Sequence, residues 1–232
     1  MSGKKKQAFN PYLPSYEYIP DGEPYVFGNR IYIYGSHDKF NGWRFCENDY
    51  VCWSAPIEDL SDWKYEGIIY KKNQDPINRK GFRTLYAPDI QRGQDGRYYL
   101  YYSFDFSGII SVAVCDTPAG KFAFYGHVHY PDGNLLGRKK GDNFQFDPAI
   151  FIDDDGKVFL YTGLGWAKNI WMNLYLKGKV YQGGYCIELE GDMLTVKNPP
   201  KLIIAKNEVA GGRCFEGHGF IEASSRDRKS VV

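Results

Sequence analysis

The chain alternates. Arg30–Tyr34, Tyr50–Ser54, Ile68–Tyr70, Arg97–Ser103, Ile109–Cys115, Lys121–Tyr125, Lys157–Tyr161 and Tyr185–Leu189 are short runs of aromatic and branched residues with a period of two. That period belongs to a β-strand, whose side chains point alternately to opposite faces. Gly, Pro, Asn and Asp fill the gaps between the runs, as turns require. No amphipathic stretch of helical period reaches a dozen residues, so an all-β fold is predicted.

The strands fall into a longer repeat. Asp21 on its Pro/Gly turn is followed by Ile31–Ser36, Tyr50–Ser54 and Leu60–Gly67. Asp89 is followed by Tyr98–Ser103, Ile110–Cys115 and Lys121–Gly126, and Asp147 by Val158–Thr162, Gly184–Leu189 and Met193–Val196. A fourth start stands at Glu222. An acidic turn with about four strands behind it, recurring at roughly 60–75 residues, describes a β-propeller blade. About three blades and the start of the fourth are expected. The first strand of a blade lines the central axis, so Asp21, Asp89, Asp147 and Glu222 are expected at one mouth of the channel. The expected division is a disordered lead-in over 1–9, a partial propeller domain over 10–225 and a non-native tail over 226–232. The polar loops 71–84 and 130–145 and the insertion Trp166–Gln182 are candidates for substrate contact.

Composition narrows the partners. Aromatic residues make up 17%, with 20 Tyr, 15 Phe and 5 Trp; strand packing accounts for most of them. The net charge of +1 argues against a polyanionic partner, so no nucleic acid is expected. No apolar run is long enough to span a membrane, and Met1 runs directly into polar residues without a secretory leader, so a cytoplasmic, membrane-free protein is expected. The cysteines at 46, 52, 115, 186 and 214 are odd in number and lack metal-ligand spacing, which predicts reduced thiols. Oligomeric state is not encoded in any pattern here.

Converging carboxylates have three uses: a donor and a base flanking a glycosidic bond, a calcium site of six to eight oxygens, or turn acids accepting backbone N–H bonds. For a single Pro/Asp turn the structural use is the default; the recurrence of an acid at each blade start weighs against it and leaves the other two open. The chain resembles glycoside hydrolase family 43, five-bladed β-propeller enzymes acting on xylosides and arabinofuranosides. The resemblance rests on Asn10-Pro-Tyr-Leu-Pro14 with Pro20-Asp21, Ala87-Pro-Asp89 with Asp95–Tyr102, Phe146-Asp147-Pro148 with Asp155-Gly-Lys157, and Phe220-Ile-Glu222-Ala-Ser-Ser225. It implies an inverting hydrolase that removes β-xylosyl or α-L-arabinofuranosyl units from oligosaccharides. It implies Asp21 as general base, Asp147 as the acid that orients the donor and raises its pKa, and Glu222 as general acid.

Asp89 is expected in a structural or substrate-binding role. Trp43, Trp166 and Trp171 are candidates for stacking on a sugar, His218 is a further candidate for substrate binding, and Glu216 is a rival for the donor role. No cofactor or metal is expected, a calcium ion in the intact propeller staying open. A non-catalytic carbohydrate-binding propeller, or a related glycosidase acting on fructosides or mannosides, are the alternatives. Because the family has five blades, the chain reads as a C-terminally truncated form, expected to be unstable and nearly inactive by itself.

Overall fold

A computed structural model describes residues 11–165, 174–176, 178–212 and 214–224. Within them, twelve strands form three four-stranded antiparallel sheets, each ordered as the chain runs. The first holds β1 (Glu23–Phe27), β2 (Arg30–Tyr34), β3 (Tyr50–Pro56) and β4 (Lys64–Tyr70). The second holds β5 (Leu85–Arg92), β6 (Tyr98–Phe104), β7 (Ser111–Cys115) and β8 (Ala123–His127). The third holds β9 (Ala149–Ile152), β10 (Val158–Leu164), β11 (Gly183–Leu189) and β12 (Lys201–Ala205). The blades meet near the axis, β5 against β9 and β2 against β5. This is the arrangement of three consecutive propeller blades. The lead-in 1–9, the tail 226–232, Trp166 and Trp171 lie outside the described residues.

The period of two does the packing. Along β6, Tyr98, Leu100, Tyr102 and Phe104 enter the core shared with the first blade, beside Tyr34, Tyr50, Ile69 and Tyr70. Tyr99 and Tyr101 enter the other core, beside Ile150, Leu160 and Ile187 of the third blade. One fully buried strand therefore serves two interfaces. Large rings bury the most apolar area per residue, and a buried tyrosine hydroxyl usually finds a partner. The hydroxyls of Tyr70 and Tyr102 bond each other at 2.6 Å, and Tyr102 donates to the fully buried Asp75 at 2.8 Å. Tyr101 donates to Met193 O at 2.5 Å.

Two expectations are corrected. The last strand of the third blade is Lys201–Ala205, not Met193–Val196. Met193 and Val196 are apolar because they sit, 2% exposed each, in the core between the second and third blades. Asp89 does not precede a strand. It lies within β5, after a register shift between Tyr86 and Asp89. Strands β1, β5 and β9 carry or follow Pro24, Pro88 and Pro148, which read as turn signals in sequence; a first strand at a sheet edge tolerates proline.

Candidate active site

The site begins with backbone geometry. Eight non-glycine residues among those described have positive φ. Five of them line one cleft: Asp21 (56°), Cys46 (58°), Phe106 (53°), Asp147 (45°) and Ala223 (60°). The left-handed region costs an L-residue roughly 1–2 kcal/mol, and such residues gather where the surrounding fold fixes a functional geometry. Asp21 and Asp147 each occupy it two residues before the first strand of their blade.

Neighbouring contacts hold each acid in place. The turn of Asp21 packs on Gly35, where an added Cβ would stand 2.6 Å from Ile19 Cγ2 and 2.8 Å from Pro20 O. Ser36 Oγ donates to Asp21 Oδ2 at 2.9 Å. Glu222 arrives on a segment with little regular structure, laid against the inner end of the third blade. Gly165 N donates to Ile221 O at 2.8 Å, Phe220 N to Ala205 O at 3.0 Å, and Gly219 N to Asn207 Oδ1 at 2.7 Å. That approach needs glycine: a Cβ on Gly165 would lie 1.9 Å from Phe220 O.

The cleft has a volume of about 480 Å³, within the range of small-ligand sites. Asp21, Asp147 and Glu222 share it with Asp38, Cys46, Asp105 and an apolar wall that includes Phe45, Tyr86, Phe106, Phe144 and Phe146. Asp147 is 6% exposed, and its Oδ1 is buried without a protein hydrogen-bond partner. Burial pushes its carboxyl up to about 8; the nearby charges of Glu222 and Asp21 push the same way, and the Ala223 N–H opposes them. Cys46 is buried, its N–H held by Asp38 Oδ1 at 2.6 Å. Burial raises its thiol to about 12, so it is a neutral wall and not a nucleophile.

Other expected site residues fall elsewhere. Asp89 is 3% exposed and absent from the cleft lining. Its carboxylate accepts from Tyr25 Oη, from Ile90 N at 2.7 Å and from Ile150 N at 2.6 Å. Of its two expected roles the structural one fits: it ties the first strands of three blades. His218 is exposed and outside the cleft lining, and Glu216 is exposed with its Oε2 accepting from Gly212 N at 3.0 Å. Neither shares the cleft with Asp147, although both are near Glu222 in sequence. Trp43 is 81% exposed and lines a second hollow beside the cleft. Tyr86 and Phe146, whose rings meet at 5.3 Å with a 54° tilt in the wall, were not singled out as site residues; Tyr86 directly precedes the Ala87-Pro-Asp89 motif and Phe146 opens the motif of Asp147. No three His, Cys, Asp or Glu side chains among the described residues cluster closely enough to hold a metal ion.

Comparison with known proteins identifies the neighbours of this arrangement. The profile of the glycosyl hydrolases family 43 matches residues 16–224. A "Xylosidase/arabinosidase" of Thermoclostridium stercorarium is 54% identical, over 97% of this chain and 46% of that protein. A "Xylosidase/arabinosidase 43A" of Humicola insolens is 34% identical, over 69% of this chain and 47% of its own length. Among solved structures, a β-xylosidase/α-arabinofuranosidase from a compost metagenome, in complex with xylotriose, superposes with a TM-score of 0.67 at 24% identity. The overlap covers 96% of this chain and 71% of that one. The chain thus spans less than half the length of the two sequence relatives.

Proposed function

This chain belongs to the glycosyl hydrolases of family 43, and from that premise we propose that its cleft cleaves β-xylosyl or α-L-arabinofuranosyl units from oligosaccharides with inversion at the anomeric carbon. The observation that carries the reading is the setting of Asp147: a buried carboxyl, held up to about 8, that responds to both Glu222 and Asp21 in one cleft. Below that value Asp147 holds its own proton, so in this reading its part is to orient the donor, and the expected like-charge lift of the donor's pKa applies only once Asp147 ionises. Glu222 gives its proton to the leaving glycosidic oxygen as the anomeric C–O bond breaks. Asp21 takes a proton from the attacking water, whose oxygen forms the new bond on the opposite face. Ser36 fixes one oxygen of Asp21. The aromatic wall matches the apolar face of a pentose ring, and the names of the two sequence relatives favour the xylose and arabinose series.

The test is hydrolysis of nitrophenyl β-D-xyloside, nitrophenyl α-L-arabinofuranoside and sucrose side by side, with the first-formed anomer read by proton NMR. Turnover of a pentoside with an inverted product is expected. Asp21→Asn should lower kcat by roughly 10²–10⁴. Glu222→Gln should do the same on xylobiose but less on a nitrophenyl glycoside, whose leaving group scarcely needs a proton. Sugar binding without hydrolysis of any of the three would overturn the reading in favour of a sugar-binding module. A retained anomer would overturn the assigned roles.

A further inference from the structure

Behind the cleft, the residue assigned as base is held in a clasp of two short segments. Residues 17–21 lead into β1 and end on Asp21, while 36–38 follow β2. Ser36 Oγ donates to Asp21 Oδ2 at 2.9 Å, Asp38 N donates to Tyr18 O at 2.9 Å, and His37 Nε2 lies 2.8 Å from Glu17 Oε1. The segments are thus closed on each other at three points, with Asp21 at one end and the His37–Glu17 pair at the other. The second nitrogen of His37, Nδ1, lies 2.8 Å from Asp49 O, just ahead of β3. Both side chains are largely enclosed, His37 15% and Glu17 9% exposed. Trp53 Nε1 donates to the other oxygen of Glu17 at 2.7 Å.

The partners of His37 set its proton count. Asp49 O is a carbonyl and only accepts, so Nδ1 carries a hydrogen. A Glu17 carboxylate also only accepts, so Nε2 carries one too. A neutral imidazole has a single N–H and makes only one of these bonds. The alternative, a proton on Glu17 donated to Nε2, would leave it on the weaker base of the two. Among the described residues no lysine or arginine pairs with Glu17, so an imidazolium is the charge that compensates this enclosed carboxylate. The other ionisable groups nearby are engaged elsewhere. Asp38 Oδ1 accepts from Cys46 N at 2.6 Å, Asp49 Oδ1 accepts from Lys72 N at 2.9 Å, and Lys72 Nζ donates to Glu47 O. Tyr65 of β4, tilted against Trp53 at 5.2 Å, stays neutral, its hydroxyl pushed up by burial and by the charge of Glu17.

We propose that His37 is a positioning residue for the general base: as an imidazolium it donates from both nitrogens, to Glu17 and to Asp49 O, and so holds the segment that aims Asp21. The proposal rests on the glycosidase reading of the cleft. It gives the site a pH dependence separate from that of its three acids. When the imidazolium loses a proton, one of its two bonds goes with it. The clasp then loosens, and Ser36 no longer presents its hydroxyl to Asp21 at a fixed angle. The positioning is present at low pH and fades as pH rises.

Nitrogen NMR of the 232-residue chain tests the charge, with the ring signals assigned through His37→Gln and His218→Gln. His37 should keep both nitrogens protonated to a higher pH than the exposed His218. Turnover of xylobiose tests the positioning. Where the wild-type ring is charged, His37→Gln should lower kcat about tenfold with KM scarcely moved. The gap should close over the pH range in which the wild-type ring loses its proton. Glu17→Gln, which keeps an acceptor but removes the charge, should move that range to lower pH; thermal unfolding checks that both variants fold. Loss of the His37 proton at or below the pH of His218, or a kcat ratio that is the same at every pH, would overturn the proposal. An imidazolium in a wild type that hydrolyses no pentoside would overturn the glycosidase reading, and with it the catalytic part of the proposal alone.

Discussion

At the residue scale, Asp147 links catalysis to stability through a single proton. Its carboxyl is held at about 8 in the folded protein and near 3.9 in an unfolded chain. The folded state therefore binds the extra proton. The stability associated with it is fully present below the unfolded value and is lost as pH rises through about 8. Asp147→Asn, neutral at every pH, escapes that loss. In urea titrations the variant should match wild type near pH 4 and exceed it by roughly 3–5 kcal/mol at pH 8, while its activity falls. A gap that does not change with pH would show that Asp147 is not buried as described. This residue was legible in sequence because Phe146-Asp147-Pro148 carries both a turn signal and a recurrent acid. Asp89 was grouped with it for the same Pro/Asp signal. What separates the two is a register shift inside β5, and no local sequence pattern records a bulge of that kind.

At the scale of elements, the strand with the clearest alternation is the one whose two faces enter different cores, β6. The strands that sequence reading missed are the proline-marked first strands β1, β5 and β9, each paired with the second strand of its own blade. Met193–Val196 misled because apolar residues under a blade resemble apolar residues within one. The segment carrying Glu222 has no periodicity to read; glycines place it. Gly165→Ala should therefore act at a distance from the acid. The added methyl meets Phe220 O, the Gly165–Ile221 hydrogen bond is lost, and Glu222 moves. A fall of at least about 10² in kcat on xylobiose is expected, with a smaller fall on nitrophenyl glycosides. Equal loss on both substrates would place the damage elsewhere than at the proton donor.

At the scale of the whole molecule, Asp89 joins what the sheets alone do not. Sheet hydrogen bonds run within blades; Tyr25 belongs to the first blade, Ile90 to the second and Ile150 to the third. Asp89→Ala leaves two buried N–H groups, of Ile90 and Ile150, and the Tyr25 hydroxyl without this acceptor, which costs about 1–3 kcal/mol for each group. The urea midpoint should drop accordingly, with a broadened transition as the blades uncouple. Asp89→Asn, which keeps one acceptor oxygen, should recover part of the loss. A sharp transition at an unchanged midpoint would deny Asp89 this role.

The strained residues around the cleft carry a consequence for how such a sequence can change. Cys46, Phe106 and Ala223 each occupy a backbone conformation in which glycine is at ease. Ala223→Gly should raise stability in the folded conformation by up to about 1 kcal/mol before the looser unfolded chain is counted, and it loosens the residue next to Glu222. A population selected only to survive heat would be drawn toward relaxed backbone at the rim of its own cleft. Heat tolerance and turnover therefore pull these positions in opposite directions, and a library scored for both should keep residues 46, 106 and 223 as they are while the outer strands diverge.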